Sequence, residues 1–323
     1  MSKSMFLSVL LLPALLFNQA LANPPPAGPE SATQKAVLVT GASSGLGREM
    51  AELLASEGFF VYAGARKDSD IAELNQVENM QAIRLDVTKQ QDIDEAVAVI
   101  TEAGRGLYGL INNAGVAVVA PLIEVDEEDF DFQMDVNVYG PYRVTKAFAP
   151  LIIASKGRIS TTSSISGVLA GPLLGPYSMS KHAIEAFTDS LADEMAKFGV
   201  KVSAIEPGSY NSDIGKNMFR RMEARGQTID DSMYKEEYEN MMAWMKQFET
   251  SGNDPADVAR AALDAMSSDT PKRRYMVVPD QGQAEITITQ AISEVVQFNR
   301  DQKFSYDREQ LIKILDQELA KNP

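Results

Sequence analysis

The chain has 323 residues, of which 45% are hydrophobic and 23% charged, enough for one large domain or two small ones and too apolar for a disordered chain. The formal net charge is −15, and no dense Lys/Arg tract occurs, which argues against nucleic-acid binding; the short cluster Lys272-Arg273-Arg274 is predicted to be a solvated loop. With no cysteine and one histidine, His182, the sequence predicts no disulfide, no cysteine nucleophile and no metal site. His182 is expected to be an exposed or interface residue of a helix.

The first predicted elements are a leader and a linker. Lys3 precedes the apolar run FLSVLLLPALLF, and Ala20-Leu21-Ala22 resembles a signal-peptidase site, so residues 1–22 are predicted to be a signal peptide for export to the periplasm. The run is short for a membrane span of roughly 20 residues. The alternatives are an uncleaved leader that anchors the chain in a membrane, the only membrane contact we expect, or a cytoplasmic protein. A Pro-rich linker is predicted at 23–35.

From residue 36 to 280, short β-rich runs alternate with amphipathic helical stretches. Seven runs are predicted to be strands: KAVLVTG, FFVYAGAR, MQAIRLDVT, GLINNAG, GRISTTSS, VKVSAIEPG and RYMVVPD. Strands that alternate with helices form βαβ units, so we expect an α/β fold, a doubly wound parallel sheet (Rossmann fold) of about seven strands with helices on both faces. Ligands of such sheets bind beyond the carboxyl ends of the strands.

A glycine-rich loop connects the first predicted strand to the first helix. Its glycines, Gly41, Gly45 and Gly47, do not have the G-x-G-x-x-G spacing. Glycine nevertheless permits positive φ and close backbone approach, and a helix N-terminus offers free N–H groups to a pyrophosphate. The loop is therefore predicted to bind a dinucleotide rather than to be only a tight turn.

The end of the second predicted strand indicates the choice of dinucleotide. A carboxylate there would accept the ribose hydroxyls of NAD. This strand instead reaches Arg66-Lys67, with no carboxylate before Asp68. Because a guanidinium suits a 2′-phosphate in charge and donor geometry, NADP is predicted over NAD, with Ser43 adding a hydroxyl contact.

Several more motifs follow in a fixed order. Asp86-Val87 ends the third predicted strand, Asn112-Asn113-Ala114-Gly115 ends the fourth, and Asn137 lies in a later helix. Ser164 follows Asn137 by 27 residues and precedes Tyr177 by 13, and Tyr177 is four residues before Lys181. Pro207-Gly208 ends the sixth strand. Together with the glycine motif Thr40–Gly47, this order resembles the short-chain dehydrogenase/reductase family over about Lys35 to Asp280.

The resemblance implies a nicotinamide-dependent oxidoreductase with four catalytic residues. The Lys181 ammonium would lower the pKa of the Tyr177 phenol and hold the nicotinamide ribose, Ser164 would bind the substrate oxygen, and Asn137 would anchor a water that relays protons. The neighbouring Ser163 is expected to face the core or cofactor. The cofactor-binding residues implied are Gly41, Ser43, Ser44, Gly45, Leu46, Gly47, Arg66, Asp86, Val87, Asn113, Ala114, Gly115, Tyr177, Lys181, Pro207, Gly208 and Ser212.

Two segments extend the family pattern. Residues 212–250 form a methionine-rich insertion that begins with Ser212 in place of the family's threonine. It is either ordinary helix packing or a lid over an apolar substrate, and its length is similar to that of the hydroxysteroid/retinol dehydrogenase branch. Residues 281–323 form a helical C-terminal extension whose last helix has an apolar side made of Leu311, Ile314, Leu315 and Leu319. This side could pack on the domain, a second subunit or a membrane.

The resulting expectation is hydride transfer between NADP(H) and a secondary alcohol or ketone of a steroid-, retinoid- or alkanol-like molecule, by a homodimer or homotetramer. One alternative is a 3-oxoacyl reductase, although the sparse Lys and Arg residues offer little surface for an acidic carrier. The alternative of another class is a non-catalytic NADP-binding sensor or scaffold, which would have no need of Tyr177.

Overall fold

The computed structural model describes residues 34–251 and 253–321, and the side chains of that range except those of 244–251. The predicted leader at 1–22 lies outside the described residues, as does all of the predicted linker except Gln34 and Lys35. Within the described ranges, none of the helices combines the length and the hydropathy that a membrane span requires.

The centre of the fold is one parallel sheet, which confirms the predicted fold class. In the described residues it has seven strands in the order β3-β2-β1-β4-β5-β6-β7. Every neighbouring pair is parallel. The strands are β1 (Ala36–Thr40), β2 (Phe60–Ala65), β3 (Met80–Arg84), β4 (Gly109–Asn112), β5 (Arg158–Thr162), β6 (Lys201–Pro207) and β7 (Arg274–Val277). The strand order reverses between β1 and β4, and this reversal opens the crevice where a doubly wound sheet binds its ligand.

Eleven α-helices connect and extend the described strands. They are α1 (Gly45–Ser56), α2 (Asp68–Leu74), α3 (Gln90–Glu102), α4 (Glu127–Met134), α5 (Gly140–Ala154), α6 (Gly175–Ala196), α7 (Ile214–Ala224), α8 (Lys235–Ser251), α9 (Ala256–Ser267), α10 (Gln281–Asn299) and α11 (Arg308–Lys321). A π-helical turn, Asp135–Tyr139, joins α4 to α5, and a single 3₁₀ turn, Ile165–Gly167, follows β5.

The alternation of side chains along the strands produces two cores. In β1, Val37 and Val39 belong to a core built with helices α1 and α9, whereas Leu38 belongs to a core built with α3, α5 and α6. All three side chains are fully buried. A strand buried on both faces gives a continuous apolar run such as AVLV rather than an alternating one, as is typical of parallel sheets.

The last two helices are unusually apolar on their surfaces. Helix α11 has no buried residue, and α10 has one, Thr287. Large apolar side chains stay exposed along both, among them Ile292, Phe298 and Leu315. The described part of the chain therefore does not bury the apolar side of α11, so packing on the domain, one of three roles considered for it, is not what the structure shows.

Candidate active site

The glycine loop lies at the strand-order reversal, where β1 and β4 end. Gly41 and Gly45 have φ of +67° and +54°, in the left-handed region that disfavours other residues. A Cβ on Gly47 would lie 2.2 Å from the Gly41 carbonyl oxygen and 2.3 Å from Asn113 Nδ2. The loop therefore has to be glycine at these positions, and it leads directly into the N-terminus of α1, the end of a helix that suits a phosphate.

The end of β4 is tied to this loop by one hydroxyl. Thr40 Oγ1 accepts hydrogen bonds from the backbone N–H groups of Asn113 at 2.9 Å and Ala114 at 3.0 Å. Asn113 Nδ2 in turn donates to the carbonyls of Thr40 at 3.1 Å and Gly41 at 3.3 Å. A Cβ on Gly41 would be 2.9 Å from the Ala114 Cα. The two predicted cofactor motifs are thus held against each other by direct contacts.

Lys181 is buried beside the end of β5. It lies on α6 with only 6% of its surface exposed, and its Nζ donates to the Thr162 carbonyl at 2.8 Å. Burial lowers the pKa of Lys181 to about 8, although the nearby Glu185 carboxylate raises it. The amine is therefore an ammonium at neutral pH and loses its proton in the range just above.

Tyr177 is one turn before Lys181 on α6 and is half-buried. The Lys181 Nζ is 5.5 Å from the centre of its ring. Burial raises the pKa of Tyr177, and a hydrogen bond with Ser164 opposes this shift. The direction differs from our expectation, because desolvation of the phenolate outweighs the attraction of an ammonium at this distance. The phenol therefore keeps its proton at neutral pH and is suited to donate it.

Asn137 is held by the π-helical turn and is almost fully buried, at 2% exposed. Its Oδ1 accepts from the Val116 N–H at 2.9 Å, and its Nδ2 donates to the Val116 carbonyl at 3.0 Å and to Ser180 Oγ at 3.1 Å. The Ser180 hydroxyl donates to the Tyr177 carbonyl at 2.7 Å. The amide thus joins the loop after β4 to the first turn of α6, which fixes the position of the Tyr177 backbone.

Ser164 follows β5 and is buried. Its hydroxyl donates to the Pro207 carbonyl at 3.4 Å and accepts from the Ser166 N–H at 3.1 Å. The neighbouring Ser163 is 2% exposed and its hydroxyl has no hydrogen-bond partner among the described residues. A Cβ on Gly167 would lie 3.0 Å from Ser163 Oγ. Ser164 therefore shares the Tyr177 hydroxyl's surroundings, whereas Ser163 lies against the 3₁₀ turn.

The predicted adenosine-side residues lie at the ends of β2 and β3. Arg66 directly follows β2 with an exposed side chain, and its carbonyl accepts a hydrogen bond from Arg84. Asp86 accepts from the N–H and the hydroxyl of Thr88, at 3.0 and 2.7 Å, and Val87 is buried against Gly140. Asp68, the carboxylate nearest to Arg66 in the sequence, forms an ion pair with Arg84. The Arg66 guanidinium is therefore available to bind an anion at this edge of the sheet.

The loop after β6 returns to the glycine loop. A Cβ on Gly45 would lie 3.4 Å from the Ser212 Cβ, so these two predicted cofactor residues are in contact range. Gly208 donates its N–H to the Val277 carbonyl at 2.7 Å, and a Cβ there would lie 2.4 Å from Gln283 Oε1. The turn before α1 contains Ser43 and Ser44, and the Ser44 side chain is exposed. Leu46 is the second residue of α1.

The methionine-rich insertion forms helices α7 and α8 and a third small core. Met218 is 4% exposed and packs with Val119, Leu173 and Tyr238. Asp129 on α4, 3% exposed, anchors α7 through an ion pair with Arg221 at 2.6 Å. The helices therefore cover the loop after β4 and the residues just before α6, where a lid over Tyr177 would lie, and part of their methionine content is ordinary packing.

Three residues that position the site, Thr162, Ser180 and Gln133, were not predicted from the sequence. The Thr162 carbonyl holds Lys181, and its hydroxyl donates to Asn113 Oδ1 at 3.3 Å. Ser180 links Asn137 to α6, and Gln133 Nε2 donates to the same Ser180 hydroxyl at 3.2 Å. Ser180 could have been predicted from the sequence, because a residue three positions after Tyr177 lies beside it on a helix. His182 is exposed on α6, as expected.

Several known proteins are similar in sequence to this chain. The family model described as short chain dehydrogenase matches residues 35–223. Mitochondrial D-beta-hydroxybutyrate dehydrogenase of Bos taurus is 36% identical over 264 residues, which are 75% of this chain and 76% of the relative. The NADPH-dependent 3-dehydrocapnine reductase of Ornithobacterium rhinotracheale is 34% identical over 251 residues, 75% of this chain and 87% of the relative. Retinol dehydrogenase 5 of Mus musculus is 38% identical over 183 residues, 55% of this chain and 57% of the relative.

Solved structures share the fold. A short chain dehydrogenase/reductase of Burkholderia phymatum in complex with NAD has a TM-score of 0.71 at 23% identity, covering 84% of this chain and 98% of that one. A variant of actinorhodin polyketide ketoreductase with NADPH has a TM-score of 0.64 at 25% identity, covering 76% of this chain and 96% of that one. The similar structures thus include nicotinamide complexes of both kinds.

Proposed function

Because the chain belongs to the short-chain dehydrogenase/reductase family, and is therefore an oxidoreductase with a nicotinamide cofactor, we propose that it transfers a hydride between NADP(H) and a secondary alcohol or ketone of an apolar molecule. The observation that carries this proposal is the Tyr177–Lys181 pair at the carboxyl end of β5, beside the glycine loop. Asn137 and Ser164 complete the four catalytic residues. The cofactor-binding residues are those of the glycine loop and of the strand ends described above.

The chain's own residues supply orientation and a proton. When bound, the cofactor supplies or accepts the hydride. For reduction, the Tyr177 hydroxyl gives its proton to the substrate oxygen, and its raised pKa keeps that proton in place until then. Ser164 holds the oxygen within reach of the phenol. The Lys181 ammonium stabilises the phenolate that forms and would hold the ribose hydroxyls of the bound cofactor. Asn137 keeps α6 in register with the loop after β4.

An apolar substrate is proposed because of the lid. Helix α7 places Met222 and Phe219 around the small core with Val119 and Leu173, and Tyr234, just before α8, packs against the same core. Methionine and aromatic side chains adapt to an irregular apolar molecule at little polar cost. The names of two relatives, a retinol dehydrogenase and a D-beta-hydroxybutyrate dehydrogenase, span large and small substrates, so the lid is the feature that favours a large one.

Met222→Gln tests the lid, since it keeps the length of the side chain and adds a polar amide. We expect the KM for a large apolar ketone to rise about tenfold while that for a small ketone changes little, because only the large substrate reaches the lid. Met233→Gln is the control, as Met233 is 75% exposed. Equal changes in both KM values, together with a lower melting temperature, would mean that Met222 serves packing alone.

NADP is proposed over NAD because of Arg66. The side chain is exposed at the end of β2, where a 2′-phosphate of the cofactor would lie, and no carboxylate occupies the strand end before Asp68. In Arg66→Asp we expect the ratio of kcat/KM for NADPH to that for NADH to fall about 100-fold or more, because a phosphate donor becomes a ribose acceptor. Lys146→Asp on α5 changes the charge equally and should leave the ratio unchanged. A wild-type preference for NADH would contradict the proposal.

Two other functions are tested together with this one. A 3-oxoacyl reductase would reduce carrier-bound acyl chains, and a sensor or scaffold would bind NADPH without turnover. Purified protein with NADPH is screened against steroid, retinoid, aliphatic and 3-oxoacyl ketones. Reduction of the apolar ketones supports the proposal, activity confined to 3-oxoacyl thioesters supports the first alternative, and binding without turnover supports the second.

A homodimer or homotetramer also belongs to the proposal. It is supported by the exposed apolar side chains of α10 and α11, such as Ile288, Ile292 and Leu319, which are 51%, 54% and 61% exposed. Mixed charges between them, including Lys313 and Asp316, suit pairing with a second copy better than with an anionic lipid surface, since the whole chain has a net charge of −15. Light scattering gives the mass directly.

A further inference from the structure

The loop after β6 lies between two parts of the proposed active site. At its start, the Pro207 carbonyl accepts a hydrogen bond from the Ser164 hydroxyl at 3.4 Å. At its other end, a Cβ on Gly45 would lie 3.4 Å from the Ser212 Cβ, so Ser212 is in contact range of the glycine loop. The path of residues 207–212 therefore affects both the proposed catalytic serine and the proposed cofactor loop.

Both backbone groups of Ser209, in the middle of this loop, are held by amide side chains from later parts of the chain. The Ser209 N–H donates to Gln283 Oε1 on α10 at 2.8 Å. The Ser209 carbonyl accepts from Nδ2 of Asn253, in the loop before α9, at 2.9 Å. Because Ser209 lies outside the helices and the strand ladder, these side chains supply the hydrogen-bond partners that its backbone needs.

The orientation of the Gln283 amide is fixed by Asp280, the N-cap of α10. Asp280 Oδ1 accepts from the Gln283 N–H at 3.0 Å, and Asp280 Oδ2 accepts from Gln283 Nε2 at 2.7 Å. These hydrogen bonds, first that of the backbone N–H, lower the pKa of Asp280, which is therefore a carboxylate at neutral pH. Since a carboxylate only accepts hydrogen bonds, it holds the amide NH₂ group and leaves the amide oxygen for Ser209.

The place of Gln283 is fixed on two further sides. Thr287, which is 3% exposed, donates from its hydroxyl to the Gln283 carbonyl at 2.7 Å. On the loop side, a Cβ on Gly208 would lie 2.4 Å from Gln283 Oε1. Glycine at position 208 therefore leaves the space that the Gln283 oxygen occupies next to the Ser209 N–H.

We propose that Gln283, oriented by Asp280, is a positioning residue that holds the loop after β6 in the conformation that binds the cofactor. This inference rests on the proposed function for its role in cofactor binding. A loop already held in its binding conformation loses less freedom when NADPH binds, so the affinity is higher. Gln283 acts through the backbone of Ser209 and does not contact the reacting atoms. The C-terminal extension thereby contributes to the active site of its own chain.

Hydrogen exchange of the Ser209 amide, followed by NMR in the protein without NADPH, tests the contact directly. Gln283→Met keeps the length of the side chain and removes the amide oxygen. We expect the Ser209 amide to exchange about 3- to 10-fold faster in this variant, which corresponds to the loss of one neutral hydrogen bond. Gln297→Met is the matched control, because Gln297 is exposed on the same helix and bonds to Ser293. Its Ser209 exchange should equal that of the wild type.

Calorimetric titration with NADPH tests the consequence for the cofactor. In Gln283→Met we expect the Kd for NADPH to rise about 3- to 10-fold while kcat at saturating NADPH stays within about twofold, because the loop costs more to order and the reacting groups are unchanged. Neither exchange nor titration needs turnover. A protein that binds NADPH but reduces no ketone would therefore fail the proposed function and still decide this inference.

A pair of substitutions tests the orientation of the amide. Gln283→Glu alone sets a second carboxylate against Asp280, and Asp280→Asn alone lets the Gln283 amide turn over, so both should weaken NADPH binding. Asn remains a good N-cap. Together the two substitutions keep every hydrogen bond, since the new amide at 280 donates to the new carboxylate at 283, which still accepts from Ser209. The double variant should regain wild-type exchange and affinity to within about twofold.

Three results would overturn the proposal. One is unchanged Ser209 exchange in folded Gln283→Met. Another is a lower melting temperature of Gln283→Met with an unchanged Kd for NADPH, which would mean that Gln283 serves stability alone. The third is a folded double variant that binds NADPH no better than Gln283→Glu or Asp280→Asn alone.

Discussion

Tyr177→Phe should reduce kcat by about 10² to 10⁴ while leaving NADPH affinity nearly unchanged, because the substitution removes the proton donor and little else. The ring stays in place on α6, and the hydrogen bond from Ser180 Oγ to the Tyr177 carbonyl does not depend on the Tyr177 hydroxyl. Single-turnover rates and NADPH titration by fluorescence measure the two quantities separately.

The matched control for Tyr177→Phe is Tyr142→Phe, since Tyr142 lies on α5 and is 49% exposed. It loses the same hydroxyl and should keep wild-type rates. If Tyr177→Phe retained near wild-type activity, the proton would come from another group, and the catalytic assignment of Tyr177 would be wrong.

Lys181→Met should impair both binding and rate. It removes the ammonium proposed to hold the ribose hydroxyls, a charged hydrogen bond worth about 1.5–3 kcal/mol, so NADPH affinity should fall about 10- to 100-fold. It also leaves the Thr162 carbonyl without its donor, which should cost about 1–3 kcal/mol of stability. Calorimetric titration and thermal unfolding measure the two effects.

Lys197→Met provides the comparison for Lys181→Met, because Lys197 caps the same helix and is exposed. We expect it to bind NADPH as the wild type does. Full NADPH affinity in folded Lys181→Met would show that the ammonium does not contact the cofactor.

The strands of the sheet could be predicted from local sequence patterns alone. The apolar run that predicts β1 is buried on both faces, and the glycines that predict a phosphate loop include Gly47, where a Cβ has no room. The Tyr177–Lys181 spacing of one helical turn could also be read directly, since both residues lie on α6. These features depend on neighbours in sequence, which is why they could be predicted.

Features that depend on strand pairing could not be predicted in this way. Arg274 appeared solvated because its sequence neighbours are charged, and only the parallel pairing of β7 with β6 brings it to Glu185 and Glu206. The pKa of Tyr177 was expected to fall, yet burial raises it, because desolvation depends on how the whole site packs.

The burial of the methionines in the methionine-rich segment also could not be predicted from the local sequence. Met218 is buried in a small core, while Met233 is 75% exposed. Both occur in a helical or turn sequence of similar composition, and their different surroundings come from the residues before α6 and after β4 that α7 and α8 cover. The burial of each methionine therefore depends on its tertiary contacts.

The central claim is hydride transfer to a ketone at the Tyr177–Lys181 site, and deuterium transfer tests it most directly. Wild-type protein is incubated with NADPH that carries deuterium at both hydrogen positions of the nicotinamide C4 and with the apolar ketones of the screen, and the products are analysed by mass spectrometry. We predict an alcohol with one deuterium on the carbinol carbon from the wild type, and almost none from Tyr177→Phe. Tight NADPH binding with no deuterated alcohol from any ketone would contradict the account.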